Sequence, residues 1–581
     1  MNFFWTIVVL VAMLAVTWRI LGQYMVAVYE TRVHFLGFIE RPIYSLLGTG
    51  PDREQTWKRY ASSLLVFSAV SLLLAYLIFR LQGLLPFDPQ HLGAVSPALA
   101  FNTATSFVTN TNWQNYGGET TMSYFSQMAG LMTQQFVSAA VGISIAIALV
   151  RGFARRGSAT IGNFWVDTVR GLVYILLPIS FVFGIIMVSQ GAVQTLSGPV
   201  HIHDVLNGVS QTIPLGPAGF MGPIMQLGTN GGGFFNADLA APFENPTALT
   251  NLLYIFLTLC IPVSLTYVFG KMVGALRQGV AVLAAMTIIF GGWLAFTSYA
   301  EHQLNPAVAA AGVTSQPTGN MEGKEVRFGD TSSALFNVSM TQTSDGAVDS
   351  ASDSYNPIGG FGLLTGMMLG EVSPGGVGSG LYTILLFAII AVFVGGLMIG
   401  RTPEYLGKKI QAREVKLAGF AILVMPVTVL VITAIAVSIH TGRAGPLNGG
   451  PHGFTEILYA FTSQSNNNGS AFAGLTGNHA FYNVSGAIAM LAGRFAIIVP
   501  TLALAGTLAA KNLVPSSVGT FRTDNTMFVG LLIGVILIVG GLTFFPAVAL
   551  GPIAEALSHR LYSVVPVLTQ SWHTLCITVT P

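Results

Sequence analysis

Long apolar stretches alternate with short polar ones along the whole chain. A helix that crosses a membrane needs about 20 mainly apolar residues, because it must span about 30 Å of hydrocarbon. By this criterion the sequence predicts ten transmembrane helices. They cover residues 3–22, 60–82, 127–150, 166–190, 249–270, 278–299, 381–400, 417–439, 484–510 and 526–549.

Shorter, half-apolar segments rich in Thr, Asn and Gly lie between several of these spans. Pro97–Val108 and Gly453–Thr462 are two examples, and each is too short or too polar to cross a membrane. Each leads into a polar loop and then into the next span. The pattern therefore predicts a unit made of a span, a short re-entrant helix, a polar loop and a second span.

The composition excludes a water-soluble protein. Only 8% of the 581 residues are charged, whereas soluble domains carry about 25%. The net charge of +2 gives no support for binding to nucleic acid. The two cysteines, Cys260 and Cys576, do not form a zinc-binding pattern. His201 and His203 have no acidic or Cys partner at metal-ligand spacing, so a metal pair there is not favoured.

Basic residues mark one side of the predicted bundle. Of the 25 Lys and Arg residues, 17 lie in or beside the segments that follow spans one, three, five, seven and nine. The opposite loops are longer but contain few, such as Lys324 and Arg327. Cytoplasmic loops are enriched in Lys and Arg. The sequence therefore predicts that both termini lie outside. The N-terminus has no basic region ahead of its apolar stretch, which favours a retained first span over a cleaved signal peptide.

Four polar loops on the predicted outer side share one pattern. A hydroxyl or amide residue is followed by Asn or Asp and then by Gly or Thr, at nearly constant spacing along the chain. The four triplets are Thr109-Asn110-Thr111, Thr229-Asn230-Gly231, Ser344-Asp345-Gly346 and Asn467-Asn468-Gly469. Such clusters usually mark ordinary surface turns. Four of them at similar spacing, each between two spans, favour a fourfold internal repeat instead.

A fourfold repeat would place the four loops in one ring. Irregular backbone at membrane depth is tolerated only inside protein or beside a watery cavity. Carbonyl and side-chain oxygens of four loops can replace the hydration shell of an ion, as in potassium channel filters. Helix ends that point their C-termini at the ring would add partial negative charge.

Five segments of the sequence are characteristic of a known family. They are FVTNTNWQNYGGE (107–119), LGTNGGGFFNADLAAPFENPT (227–247), TSDGAVDSASDSYNPIGG (343–360), IGRTPEYLGKKI (399–410) and SQSNNNGSAFAGL (463–475). The chain closely resembles the potassium-binding subunit of the bacterial Kdp potassium-transporting ATPase, from about residue 1 to residue 557.

The resemblance implies an all-α polytopic membrane protein with ten spans. Four channel-like repeats would surround a central pore, with one extra helix at each end. The implied divisions are a first helix (1–30), repeats at 58–151, 160–271, 278–401 and 417–511, a last helix (524–550) and a C-terminal tail (551–581).

The resemblance also implies the activity. This chain would bind K⁺ from outside, and a separate P-type ATPase subunit would hydrolyse ATP to drive high-affinity uptake across the bacterial inner membrane. Small accessory subunits and membrane lipid would be further partners, and K⁺ would be the transported substrate, without an organic cofactor. The chain has neither an Asp-Lys-Thr-Gly-Thr phosphorylation motif nor a Walker A loop, so it is not expected to be an enzyme by itself.

Transferred position by position, the family's selectivity filter falls on the four polar loops. The resemblance assigns it to Asn110, Thr111 and Asn112; Thr229, Asn230, Gly231 and Gly232; Ser344, Asp345 and Gly346; and Asn467, Asn468 and Gly469. Asp345 stands where the family has a small neutral residue. Its carboxylate could contact the cation directly. It could also point away and accept hydrogen bonds from backbone donors, which we favour because direct contact would hold the ion too tightly.

One apolar stretch, from Ile358 to Gly400, is too long for a single span. GEVSPGGVGSG (370–380) interrupts it, and broken helices in transporters usually lie at the ion path. Glu371 falls in the break, and Arg494 lies inside the ninth span. Buried charges are expected to pair, so we expect these two to form an ion pair. The resemblance groups them with Arg401 as gate or pathway residues, and a purely structural salt bridge is the alternative.

Other functions remain to be weighed. A self-sufficient K⁺ channel or ion-driven symporter of the same superfamily would share the fourfold plan, but the five motifs favour the pump subunit. An intramembrane enzyme would need a convergent catalytic set, which the spans do not contain. A structural scaffold leaves the repeated polar loops unexplained. No function is assigned to residues 558–581.

Overall fold

The computed structural model describes residues 3–203, 208–313, 315–398, 400–514 and 521–558. Within these residues ten helical stretches are long and apolar enough to cross a membrane, which confirms the predicted number. They are Phe3–Tyr29, Trp57–Leu84, Ser126–Ala154, Phe164–Ser189, Ala248–Met272, Leu276–Ala310, Ser379–Met398, Ala412–Ser438, Ala480–Ala509 and Thr526–Ser558.

Among the described residues, the first half of the chain contains ten α-helices and one β-hairpin. Helices α1 (Phe3–Tyr29) and α2 (Gly37–Leu46) precede the first predicted repeat. That repeat holds α3 (Trp57–Leu81), α4 (Pro97–Val108), α5 (Gly118–Thr121) and α6 (Thr133–Ala154), and the second holds α7 (Phe164–Arg170), α8 (Leu177–Ser189), α9 (Met221–Leu227) and α10 (Ala248–Met272). Strands β1 (Val200–His203) and β2 (Ser210–Ile213) pair in antiparallel between α8 and α9.

The second half follows the same plan. The third predicted repeat holds α11 (Leu276–Glu301), α12 (Pro306–Ala310), α13 (Gly329–Thr341), α14 (Pro357–Met368) and α15 (Ser379–Met398). The fourth holds α16 (Ala412–Ser438), α17 (His440–Arg443), α18 (Gly450–Asn466) and α19 (Ala480–Ala509), and α20 (Thr526–Val548) follows it. A small antiparallel hairpin, β3 (Glu404–Tyr405) and β4 (Lys408–Lys409), joins α15 to α16.

Short turns of tighter or wider helix extend several of these elements. Helical turns of the 3₁₀ type lie at Gln82–Leu84, Asp238–Ala240 and Ser352–Ser354, and π-helical turns at Ser126–Met132, Gly171–Leu176 and Ala549–Ile553. The last π-helical turn carries α20 into the start of the predicted tail. The remainder of that tail, residues 559–581, lies outside the described residues, as does Cys576.

Burial separates central helices from peripheral ones. The most apolar windows of the spans that contain α6 and α10 are 83% and 89% buried inside the protein. The corresponding windows of α1 and α20 are only 17% and 22% buried. A helix that is apolar all round suits either a protein core or lipid. The central pair therefore forms the core, and the two terminal helices present apolar surface to the membrane.

The four helices that lead into the polar loops are too short to cross a membrane and are enclosed by the spans. Helices α4, α9, α13 and α18 have 12, 7, 13 and 17 residues. All seven residues of α9 are buried, and most of the other three helices are buried as well. Backbone that leaves a helix at membrane depth must be buried in protein. The enclosure of these re-entrant helices meets that condition.

The long apolar stretch from Ile358 to Gly400 forms two helices rather than one. Helix α14 ends at Met368 and α15 begins at Ser379. Between them Gly370, Glu371, Gly375 and Gly378 have positive φ, which a continuous right-handed helix does not allow. We call residues 369–378 the helix break.

Buried ion pairs fix the end of the bundle where the basic residues lie. Arg151 at the end of α6 contacts Asp167 of α7 at 2.6 Å. Arg170, also of α7, contacts Glu40 of α2 at 3.0 Å. A buried charge is costly unless it is paired and hydrogen-bonded. These pairs therefore hold α2 and α7 against the core on this side of the protein.

Lys408 of the β3–β4 hairpin closes the ends of two central helices. It is fully buried, and its Nζ donates to the carbonyl oxygen of Gly152 at 2.8 Å and to the carbonyl oxygens of Arg155 and Leu508. The last carbonyls of a helix lack partners within the helix. One ammonium group thus caps both α6 and α19 and fixes the hairpin beneath them.

We expect Lys408→Met to destabilise the protein. The change keeps side-chain length but removes every donor, so buried carbonyls at two helix ends lose a partner. Each unsatisfied buried group costs about 1–3 kcal/mol. Thermal unfolding of the detergent-purified protein should therefore occur at a lower temperature. Lys409→Met, at the neighbouring exposed position, is the control and should leave the unfolding temperature unchanged. Equal shifts in the two variants would contradict the capping role.

Candidate ion-binding site

Each of the four re-entrant helices runs directly into a polar segment. We call these ring segments one to four: residues 109–112, 228–232, 343–346 and 466–469. In each segment a residue other than Gly has a positive φ, which is uncommon because of side-chain sterics. The four are Asn110 (67°), Thr229 (43°), Ser344 (55°) and Asn467 (58°). The four segments therefore leave their helices through the same turn.

Backbone hydrogen bonds set the register between the segments. The residue after each positive-φ position donates its N–H to a carbonyl five residues earlier. The bonds are Thr111 to Ser106 (2.9 Å), Asn230 to Met225 (2.8 Å), Asp345 to Met340 (3.2 Å) and Asn468 to Ser463 (2.8 Å). Equivalent positions are therefore Thr111, Asn230, Asp345 and Asn468.

This register corrects the sequence alignment of the first segment. The sequence pattern placed Asn110 at the centre of its triplet, which is wrong by one residue; the structure places Thr111 there. The corrected triplet, Asn110-Thr111-Asn112, does not follow the pattern of residue types, so that pattern could not identify it. The positive φ of Asn110 and the backbone bond from Thr111 to Ser106 fix the register.

Direct contacts join the first three segments. The side-chain amide of Asn110 donates to the carbonyl oxygen of Thr229 at 2.8 Å and to that of Gly228 at 3.3 Å. The N–H of Gly346 donates to the carbonyl oxygen of Asn230 at 3.3 Å. Segments one, two and three thus lie side by side, in chain order.

The fourth segment completes the ring. The side-chain amide of Asn467 donates to the hydroxyl of Thr111 at 3.0 Å, and that of Asn468 donates to the carbonyl oxygen of Met340, before segment three, at 3.0 Å. A Cβ atom at Gly469 would lie 1.8 Å from the carbonyl oxygen of Thr111. Segment four therefore closes the circle between segments three and one, as the fourfold pattern predicted.

Close approach of backbones explains the glycines of the ring. A Cβ at Gly231 would lie 2.1 Å from the backbone of Gly346, and one at Gly346 would lie 2.8 Å from the backbone of Gly469. Gly231 and Gly469 also have positive φ values of 78° and 99°, which glycine adopts without strain. Gly232 faces the carbonyl oxygen of Asn112, with 3.0 Å between that oxygen and a Cβ. Side chains are excluded where the segments meet.

Asp345 is held by hydrogen bonds from neighbouring groups. Its Oδ1 accepts from the N–H of Ala347 at 3.0 Å and from the amide of Gln226 at 3.4 Å, and its Oδ2 accepts from the hydroxyl of Thr258 at 3.0 Å. Gln226 belongs to α9 and Thr258 to α10. The carboxylate therefore bonds to the adjacent second repeat and to its own backbone.

Other central side chains are anchored in a similar way. The amide of Asn468 donates to Met340 of α13 and its Oδ1 accepts from Ser470, while the hydroxyl of Thr111 contacts that of Thr109 at 2.7 Å. With the side chains engaged in these bonds, the backbone is left to supply oxygen atoms for a ligand. Such a ring presents neutral dipoles rather than a fixed charge.

Several supporting residues escaped the sequence analysis. Gln135 of α6 donates to the carbonyl oxygen of Gly231 at 3.3 Å, and Ser138 donates to Oδ1 of Asn110 at 2.8 Å. Thr258 contacts Gln226 at 2.6 Å as well as Asp345. All are polar residues within otherwise apolar spans, and that is the signal that could have identified them.

The helix break lies against the ring. The N–H of Val377 donates to the hydroxyl of Thr229 at 2.8 Å, and the N–H of Gly375 donates to the carbonyl oxygen of Gln342 at 2.9 Å. The hydroxyl of Ser344 donates to the carboxylate of Glu371. The break therefore contacts residues of both the second and the third ring segments.

A cavity begins where the ring and the helix break meet. Asn110, Ser344 and Asn467 contribute to its wall from the ring, Glu371 from the break and Arg494 from α19. It continues between the helices of the second half of the chain. Its further lining includes Tyr382, Thr383, Leu386 and Phe387 of α15, Ala421, Ile422, Met425 and Pro426 of α16, and Val539, Gly540, Thr543 and Phe544 of α20.

The expected ion pair between Glu371 and Arg494 is not formed, so that prediction is wrong. Among the described residues, the ion pairs do not include these two. Arg494 instead donates to the carbonyl oxygen of Ser138 at 3.0 Å, and Glu371 accepts from Ser344. Both side chains line one cavity and bond separately, Arg494 to α6 and Glu371 to the ring, while Oε1 of Glu371 has no hydrogen-bond partner among the described residues.

Arg401 is separated from the other two predicted pathway residues. It is exposed and follows the C-terminal end of the 20-residue helix α15, whereas Glu371 precedes the N-terminal end of that helix. It does not belong to the lining of the cavity. The structure thus brings Glu371 and Arg494 to the ring but leaves Arg401 at the basic side of the protein.

The arrangement suits a dehydrated monovalent cation. Four helices point their C-terminal ends, which carry partial negative charge, at one ring. Backbone carbonyls and amide groups surround that ring and can replace a hydration shell. The carboxylate of Asp345 already has three donors. Binding here would rest on dipoles, which allows an ion to leave again.

Known proteins resemble this chain along nearly its whole length. A family described as "Potassium-transporting ATPase A subunit" matches residues 7–557. Three relatives are each named potassium-transporting ATPase potassium-binding subunit. That of Methylorubrum extorquens is 55% identical over 541 residues, 92% of this chain and 94% of the relative. That of Mesorhizobium japonicum is 56% identical over 522 residues (90% and 91%), and that of Granulibacter bethesdensis 55% over 544 residues (93% and 95%). With the family match covering all four ring segments, the chain belongs to the potassium-transporting ATPase A subunit family.

Proposed function

We propose that this protein binds K⁺ from the extracytoplasmic side in the ring and delivers it to a partner P-type ATPase subunit for ATP-driven, high-affinity uptake. The observation that carries the proposal is the closed ring of four equivalent segments, each at the C-terminal end of a buried re-entrant helix. Such a ring is the arrangement by which backbone oxygens replace the hydration shell of K⁺. The filter residues named from the sequence all lie in or beside it.

The division of labour follows from the family. The relatives are named as the potassium-binding subunit of an ATPase, and this sequence lacks the motifs for phosphorylation or nucleotide binding. ATP hydrolysis is therefore assigned to a separate subunit, with small accessory subunits and lipid as further partners. The placement of Lys and Arg supports a topology with both termini outside, and the bacterial relatives support a position in the inner membrane.

The cavity beside the ring supports a path for the ion after it leaves the filter. Glu371 would attract a cation at the exit, and Arg494 would oppose its free passage, because a positive charge in a pore raises the barrier for cations. The lining continues sideways between α15, α16 and α20. A sideways route suits transfer to a neighbouring subunit. Arg401 is not needed for this gate.

Co-purification tests whether the chain has an ATPase subunit as its partner. The affinity-tagged chain, isolated in mild detergent from cells grown at low external K⁺, should co-purify with an ATPase of P-type size. Proteoliposomes of that complex should accumulate K⁺ only when ATP is supplied. If the chain alone transports K⁺ in vesicles at a comparable rate, it is instead a self-sufficient channel or symporter.

The second prediction concerns the ring. Gly469→Ala should raise the KM for K⁺ at least about tenfold, because a Cβ would lie 1.8 Å from the carbonyl oxygen of Thr111 and must displace it. K⁺-stimulated ATPase activity of the complex is the measurement. Gly449→Ala is the matched control, since a Cβ there meets nothing within 4 Å. An unchanged KM in Gly469→Ala would contradict a role for this segment in K⁺ binding.

The third prediction concerns the gate. Arg494→Ala removes the positive charge from the cavity, so ATP-independent leakage of ⁸⁶Rb⁺ through the reconstituted complex should rise several-fold. Arg401→Ala should leave the leak unchanged, since Arg401 lies outside the cavity. A variant at Arg494 that assembles in lower yield but remains tight to ions would show that the side chain only supports packing.

A further inference from the structure

A second group of titratable side chains lies away from the ring, at the opposite side from the basic residues. His452 is at the start of α18, and Glu456 follows it one helical turn later. Asp353 belongs to the 3₁₀ turn after ring segment three, and Glu555 lies just beyond the kink at the end of α20. Three separate parts of the fold thus bring one imidazole and three carboxylates together.

The imidazole of His452 faces a carboxylate from each of its nitrogens. Its Nδ1 lies 2.8 Å from Oε1 of Glu555, and its Nε2 lies 2.8 Å from Oδ1 of Asp353. Ligand atoms of Asp353, His452 and Glu456 all lie within 4.8 Å of one another. A neutral imidazole carries only one N–H. If Nδ1 donates to Glu555, the lone pair of Nε2 faces the carboxylate of Asp353, and either a second proton or a metal ion at Nε2 removes the repulsion.

Glu456 adds an independent indication of a missing ligand. Its side chain is fully buried, and its Oε1 accepts from the amide of Asn448 at 2.7 Å. Its Oε2 has no hydrogen-bond partner in the part of the chain that the structure describes. A buried carboxylate oxygen without a donor is costly. A metal ion in the cluster would supply what this oxygen lacks.

We propose that Asp353, Glu456 and Nε2 of His452 bind a divalent transition-metal ion of the zinc class. One imidazole and two carboxylates are ligand types that Zn²⁺ takes in proteins. Glu555 acts behind them as the positioning residue. Carboxylates that accept from the other nitrogen of a metal-bound imidazole fix its tautomer and orientation.

The position of the site suggests what the metal stabilises. The side chains of His452 and Asp353 are 22% and 21% exposed, so an ion can reach them from solvent. Asp353 follows ring segment three and also donates its N–H to the carbonyl oxygen of Phe472, after segment four, at 2.6 Å. The metal would join the surroundings of two ring segments to the last transmembrane helix.

Cobalt binding by the full chain in detergent tests the proposal. Titration with Co²⁺ at about pH 7.5 should produce visible d–d absorption that saturates at one equivalent. Zn²⁺ should displace Co²⁺ and abolish the absorption. If hydrogen bonds alone hold the cluster together, no such absorption appears, and the proposal is overturned.

Substitutions test whether the absorption of bound Co²⁺ arises from these residues. His452→Gln should abolish Co²⁺ binding, and Glu555→Gln should weaken it about 10- to 100-fold. The double variant His201→Gln/His203→Gln changes the exposed histidines of strand β1 and should bind normally. If His452→Gln does not elute as a monodisperse protein, Glu456→Gln decides in its place. Loss of binding in the β1 double variant, or retention in the other variants, would refute the site.

Discussion

Polar backbone at membrane depth must find its partners inside the protein, and the rest of this structure follows from that requirement. Four chain segments leave their helices within the bundle, and each is enclosed by spans and by the other three. Close contact between the segments satisfies their backbone and leaves space only for glycine at positions such as Gly231 and Gly469. The same contacts bring backbone oxygen atoms together from four directions, and the proposed ion site rests on this geometry.

The large-scale plan could be predicted from the sequence because it depends on features that repeat or are long. The sequence alone shows ten apolar stretches, one interrupted span and four similar polar loops. The sequence pattern misaligns the first loop by one residue, because this loop carries Thr111 where the other three carry Asn or Asp, and only the backbone hydrogen bonds reveal the equivalence. Support from Ser138 and Thr258 is missed for a different reason. It comes from transmembrane spans rather than from the loops, and a linear pattern does not reveal which span residues contact a loop.

Charge pairing is the least predictable feature. Glu371 and Arg494 are expected to neutralise each other, on the rule that buried charges pair. The rule assumes that the only suitable partners are other charges. Here a carbonyl oxygen of α6 accepts from Arg494 and a hydroxyl donates to Glu371, so both charges remain directed at a shared cavity. Lys408 behaves similarly, since three carbonyl oxygens rather than a carboxylate accept its hydrogen bonds.

The four ring segments belong to one polypeptide, and they are not identical. Where segments two, three and four carry Gly231, Gly346 and Gly469, segment one carries Asn112. In a channel assembled from four copies of one subunit, a single codon change alters all four sides of the filter at once. Here a codon change alters one side of the ring only. Natural selection can therefore act on each side of this asymmetric ring separately, which a homotetramer does not allow.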